Sequence, residues 1–160
     1  MSLIQRETPY PHWEFSDPVS GDLLRVVPER GGLISGWRCA GHEVVYLDLE
    51  RFLDPAQSVR GGFPVLFPIT GGLPDNQLPL PQGVFNLGQH GFARQLPWSL
   101  EPLADGGGVQ LQLADTEETL KSYPFSFLLT MEVRLAPGAL EITTIVENRG
   151  SDTMPFSFGL

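Results

Sequence analysis

Residues 125–147 alternate apolar and polar side chains along almost their whole length, with one break at Pro137-Gly138. Period two places Phe127, Leu129, Met131, Val133 and Leu135 on one face. After the break it places Leu140, Ile142, Thr144 and Val146 on one side of the returning segment. Proline presets φ and glycine tolerates φ > 0, so residues 137–138 read as the turn of a hairpin. A turn at Asn148 to Ser151 then leads into TMPFSFGL, residues 153–160. There Met154, Phe156 and Phe158 alternate with Pro155, Ser157 and Gly159, as in a strand with one buried face. The three segments together predict an antiparallel meander. A terminus is usually exposed and solvated, so a closing run of this kind is expected from the middle of a domain rather than its end.

The same period recurs upstream. Residues 23–28, 33–39 and 43–48 predict three successive strands, turned at Gly31-Gly32 and at Ala40-Gly41. Residues 109–114 put Val109, Leu111 and Leu113 on one face and Gln110 and Gln112 on the other. One short helix is expected over 115–122, with Asp115 or Thr116 as its cap and Glu118 or Thr119 behind it. Residues 52–98 are rich in Gly, Pro and aromatics in short pieces, which suits a loop system or the wall of a site. The expected fold is all-β, an antiparallel sandwich or barrel, with residues 1–160 in one domain.

Charge narrows the partners. The chain carries a formal charge of −9 and has a pI near 4.6, which argues against nucleic acid and anionic membranes. No signal-like N-terminus and no long apolar run is seen, so a cytoplasmic location is expected. Cys39 is the one cysteine, which fits a reducing compartment. Nine of the ten basic residues are Arg, the residue whose planar fork matches phosphate and carboxylate.

His12, His42 and His90 are far apart and lack zinc-ligand spacing, so no metal is expected. No nucleotide P-loop or serine elbow occurs. His90 stands out in G-Q-H-G-F-A-R. Flanking Gly lets a ligand approach the backbone. Gln89, His90 and Arg94 offer an amide, an imidazole and a fixed cation, groups suited to a polyhydroxylated or phosphorylated small molecule. A structural histidine in a polar turn fits the spacing equally well. Arg60 precedes Gly61-Gly62 and reads either as a turn residue or as an anion clamp. Phe63, Phe67, Phe85, Phe92 and Trp98 read as a sugar-stacking wall or, more ordinarily, as core.

These blocks, R-G-G-F-P-V-L-F-P with Q-H-G-F-A-R above all, resemble the N-terminal half of the aldose 1-epimerase (galactose mutarotase-like) family, nearest its hexose-6-phosphate branch. The resemblance runs from about residue 20 to residue 160. It implies a β-sandwich of the supersandwich type, here cut to its N-terminal half, and a cofactor-free interconversion of α and β anomers. It gives His90 the place of the family's first active-site histidine, a catalytic position that hydrogen-bonds the sugar. Arg60 takes the place of the arginine near the sugar phosphate, with Gln89 and Arg94 as further substrate contacts. The family's acid histidine follows the segment that reads M-P-F-S-F-G-L here, and its base glutamate lies further downstream. Neither has a counterpart in these residues, and Glu101, Asp105, Glu117 and Glu118 match no motif.

Three readings follow. The chain is part of a sugar epimerase without its catalytic pair, a non-catalytic sugar or sugar-phosphate module, or a half-domain completed by another chain through uncovered strand edges.

Overall fold

A computed structural model describes residues 2–160. Two antiparallel sheets face each other. The first has five strands in sequence order: β1 (Ser2–Arg6), β2 (His12–Ser16), β3 (Leu23–Val27), β4 (Leu33–Cys39) and β5 (His42–Glu43). A hairpin of β6 (Gln77–Leu80) and β7 (Gly83–Asn86) stands apart. The second sheet holds β8 (Ser99–Pro102), β9 (Gly108–Ala114), β10 (Phe127–Ala136) and β11 (Ala139–Asn148), ordered β11-β10-β9-β8. This is the all-β antiparallel architecture that the period-two pattern predicts.

The alternation sets the core. Leu129, Met131 and Val133 of β10 pair with Leu113, Leu111 and Val109 of β9, and all six side chains are buried. They share one cluster with Phe15, Leu24, Val26 and Ile34 of the first sheet. Val65, Phe67 and Trp98 belong to the same cluster, so Phe67 and Trp98 are core rather than a stacking wall. Phe63, Phe85 and Phe92 are half-buried. The helix expected over 115–122 is α2 (Glu117–Ser122). Thr116 and Thr119 form a reciprocal capping box, each side chain accepting from the other's backbone N–H.

Two expectations fail. Residues 43–48 do not continue as a strand. Past β5 the chain makes one bridge, Leu47 to Gly61, and enters helix α1 (Leu49–Leu53), capped by the Asp48 side chain. Val44 is 53% and Tyr46 72% exposed, while the alternate residue Leu47 packs against the small cluster of Tyr10, Val27, Leu33 and Phe52, so only one side of the alternation meets a core and no neighbouring strand continues the ladder. Nor does TMPFSFGL complete a meander beside β11. The strand that flanks β10 opposite β11 is β9. Residues 153–159 instead cross to residues 66–70. Leu66 and Gly159 exchange both backbone bonds, at 2.9 and 3.1 Å, and the Ser157 N–H donates to the Pro68 carbonyl. Pro155 lacks a donor for a ladder. Met154 is buried, but Phe156 is 48% exposed. Periodicity gives a segment's two faces and leaves its neighbour open.

Candidate functional site

The glycine-rich stretch 59–98 is built by close backbone approach. Gly91 has φ +67°, and a Cβ there would lie 2.2 Å from the Phe67 carbonyl oxygen. That oxygen accepts from the Phe92 and Ala93 N–H groups at 3.0 and 3.2 Å. The loop carrying Gln89 and His90 is thereby fixed to the buried Phe67 segment. Gly61 makes a similar approach to the Tyr46 carbonyl oxygen, where a Cβ would come within 2.2 Å. The Gly62 N–H donates to that same oxygen at 2.7 Å.

His90 itself sits at φ +69°, a conformation that non-glycine residues adopt infrequently. Its backbone N–H donates to the Gly71 carbonyl at 2.8 Å, and its Nδ1 lies 2.7 Å from the Thr70 carbonyl oxygen. A carbonyl can only accept, so Nδ1 carries the proton. In the neutral ring Nε2 is then an acceptor, and it has no protein partner among the described residues. Thr70 is held in turn by the closing segment: its N–H donates to Ser157 Oγ at 3.0 Å. No carboxylate pairs with His90 among the described residues, and no three His, Cys, Asp or Glu side chains there gather into a metal-binding group.

Of the four candidate residues, the structure groups three. Gln89 and His90 share the loop, and Arg94 reaches back with Nη2 3.4 Å from the Gln89 carbonyl oxygen. Arg60 stands apart. Its backbone carbonyl accepts from the Asp48 N–H at 2.9 Å. Its side chain is exposed and makes no hydrogen bond or ion pair among the described residues.

Arg94 also lines a cavity of about 440 Å³ with Arg30, Leu33, Ser58, Val59 and Pro64. The Arg30 guanidinium lies 4.4 Å over the Phe52 ring and donates to the Phe52 carbonyl. Sequence reasoning singled out neither Arg30, Thr70 nor Ser157. One signal was available for Arg30: R-G-G occurs twice, at 30–32 and at 60–62. Thr70 contributes only its backbone carbonyl to His90, so residue type gave no cue.

Comparison with known proteins agrees with this architecture. The aldose 1-epimerase family matches residues 20–160. A protein named "Putative glucose-6-phosphate 1-epimerase" from Cenchrus ciliaris is 35% identical over 138 residues, which is 80% of this chain and 39% of that one. A protein of the same name from Escherichia coli is 34% identical over 110 residues, 66% of this chain and 34% of that one. The crystal structure of the Slr1438 protein from Synechocystis superposes with a TM-score of 0.86 at 38% identity, covering 99% of this chain and 55% of that one. A galactose mutarotase related enzyme from Lactobacillus acidophilus gives 0.75 at 27% identity, covering 89% and 45%. The chain thus matches well under half the length of these curated relatives and about half the length of these solved structures. The strand pattern, the R-G-G and Q-H-G-F-A-R blocks and the match over residues 20–160 place this chain in the aldose 1-epimerase family.

Proposed function

We propose that this chain supplies the sugar-facing N-terminal part of an aldose 1-epimerase-type sandwich acting on a hexose or hexose 6-phosphate. In that reaction a carboxylate takes the proton of the anomeric hydroxyl while an acid protonates the ring oxygen. The C1–O5 bond opens, C1 turns, and the ring recloses on the other face. The observation that carries the reading is the state of His90. The Thr70 carbonyl holds the proton on Nδ1 and orients the ring, which leaves Nε2 to accept from a sugar hydroxyl. The names of the curated relatives support the sugar-phosphate form.

A second reading, binding without turnover by these residues alone, has its own support. No carboxylate pairs with His90 among the described residues, and a positioned acid or base is worth on the order of 10²–10⁴-fold each. Polarimetry of freshly dissolved α-glucose and a coupled assay of glucose 6-phosphate anomers separate the readings. The expected outcome is little acceleration by these 160 residues, with sugar-phosphate binding that weakens in His90→Ala. Rapid anomerisation by the purified chain, lost in His90→Ala, would mean that the acid and base lie within these residues after all. No binding of either sugar would remove both readings.

A further inference from the structure

We propose that a cavity on the outer face of the first sheet is a binding site for a small neutral polyol, with His12 and Glu14 holding one of its hydroxyl groups.

Period two fixes the setting. Phe15, Leu24 and Val26 point into the main core, so Glu14 and Arg25, which are partners across β2 and β3, stand on the opposite face. Part of that face is covered by the apolar cluster of Tyr10, Val27, Leu33 and Phe52. Between this cluster and the charged row lies a cavity of about 360 Å³, within the range of small-ligand sites. Tyr10 and Leu49 give it an apolar wall, and His12, Glu14, Arg25 and Glu43 give it a polar one. It shares no residue with the loop that carries Gln89, His90 and Arg94.

The His12 ring carries the argument. It is 3% exposed and packs on Tyr10 with the ring centroids 4.9 Å apart. Its Nδ1 is bonded to the Tyr10 carbonyl oxygen at 2.7 Å. Its Nε2 is buried and has no hydrogen-bond partner among the described residues. Glu14 Oε1 lies 3.5 Å from it, longer than an ordinary hydrogen bond. A buried polar atom left in this way costs free energy. A ligand hydroxyl beside both atoms satisfies Nε2 in either protonation state, because a hydroxyl both donates and accepts.

The surrounding charges select against ions. Glu14 accepts from Arg6 Nε at 3.0 Å, and Arg25 Nη1 donates to both Glu43 oxygens at 3.0 and 3.1 Å. Two carboxylates and two guanidinium groups thus balance one another, and a charged ligand would have to displace one of these pairs. A cyclic polyol matches both walls: its C–H face suits Tyr10 and Leu49, and its hydroxyl edge suits His12 and Glu14.

Amide and ring 15N NMR of the 160-residue chain titrated with myo-inositol tests the proposal. This probe is a neutral cyclic polyol without an anomeric carbon, so its binding is independent of the sugar reaction proposed above. Saturable shifts are expected at the amides of residues 10–14 and at Nε2 of His12. Inorganic phosphate and butylammonium, the charged controls, should leave these signals unmoved. His12→Phe keeps a ring against Tyr10 but removes both nitrogens. It should lower the affinity at least about fivefold, the scale of one hydrogen bond. Because His12 is buried and also bonds the Tyr10 carbonyl, Leu49→Trp gives a second variant. Leu49 is 38% exposed where it lines the cavity, and a larger side chain there should fill part of the space and lower the affinity by a similar factor. The amides of β9 and β10 should keep their shifts in it, and His90→Ala should leave inositol binding unchanged. No saturable shift at His12, parental affinity in both His12→Phe and Leu49→Trp, or tighter binding of phosphate or butylammonium than of inositol would each overturn the site.

Discussion

Gly91→Ala tests how the His90 loop is held. At φ +67° an alanine pays a left-handed penalty of about 1–2 kcal/mol. Its Cβ would also sit 2.2 Å from the Phe67 carbonyl oxygen and 2.5 Å from the carbonyl carbon, both backbone atoms that no side-chain rotation can move. The loop must lift, and lifting it stretches the Phe92 and Ala93 bonds to that same oxygen. Each is worth roughly 1 kcal/mol. The total comes to about 3–4 kcal/mol, or a midpoint lower by about 6–16 °C for a domain of this size. Gly106→Ala is the matched control: it has φ +71° and nothing within 4 Å of the added carbon. It should lose only the conformational part, about 1–2 kcal/mol. Urea denaturation followed by circular dichroism measures both. Equal losses in the two variants would refute the argument that backbone contact at Phe67 locks the loop.

Other perturbations probe the frame. Leu129→Ala empties a fully buried site in the middle of β10 and should cost about 2–5 kcal/mol in the same urea assay. Tyr123→Phe removes the donor that binds the Pro155 carbonyl at 2.8 Å. It should cost about 1 kcal/mol and speed amide exchange at Ser157 and Gly159, while β9 and β10 keep their protection. Glu14 sets a pH dependence. Burial pushes its carboxyl up, but bonds from Arg6, His12 and Arg25 outweigh burial and hold it below its ordinary 4.5. A depressed carboxylate contributes stability that is present above the unfolded value and lost as pH falls through the folded one. Stability should therefore drop as pH falls below 4.5, and the drop should be shallower in Glu14→Gln, as acid titration of the urea midpoint would reveal.

How much of this was legible in the sequence depended on how far each interaction reaches along the chain. The Phe127–Leu135 alternation set both faces of β10, because every second side chain meets the same core. The α2 cap was readable because Thr116 and Thr119 are three residues apart. TMPFSFGL has the same alternation, yet its partner lies near residue 66, and nothing within eight residues encodes that pairing. Residues 43–48 mislead for the opposite reason: the alternation is real, with Val44 and Tyr46 exposed and Leu47 packed inward, but no neighbouring strand continues the ladder. In the site, Gln89, His90 and Arg94 were visible as one motif. Arg30 reaches their neighbourhood only through the fold, where a Cβ at Gly31 would lie 2.3 Å from the Arg94 carbonyl oxygen.

That long-range pairing gives the closing segment a role beyond completing the core. Tyr123, at the C-terminal end of α2, holds Pro155 through its hydroxyl, and the neighbouring Met154 is buried. Two residues on, Ser157 accepts from the Thr70 N–H, and the Thr70 carbonyl fixes Nδ1 of His90. Tyr123 and the segment 154–157 are thus linked to the ring of His90 through three consecutive contacts, none of them made from the His90 loop itself. Losing the hydroxyl at position 157 removes the bond on the Thr70 N–H and is expected to loosen the carbonyl that fixes Nδ1. Position 157 is therefore expected to bear on which ring nitrogen of His90 is left to accept. Ser157→Ala should change the 15N shifts of the His90 ring toward a tautomer mixture while the fold persists. An unchanged Nδ1–H signal would mean that the Gly71 carbonyl and the left-handed backbone at His90 suffice to hold the ring.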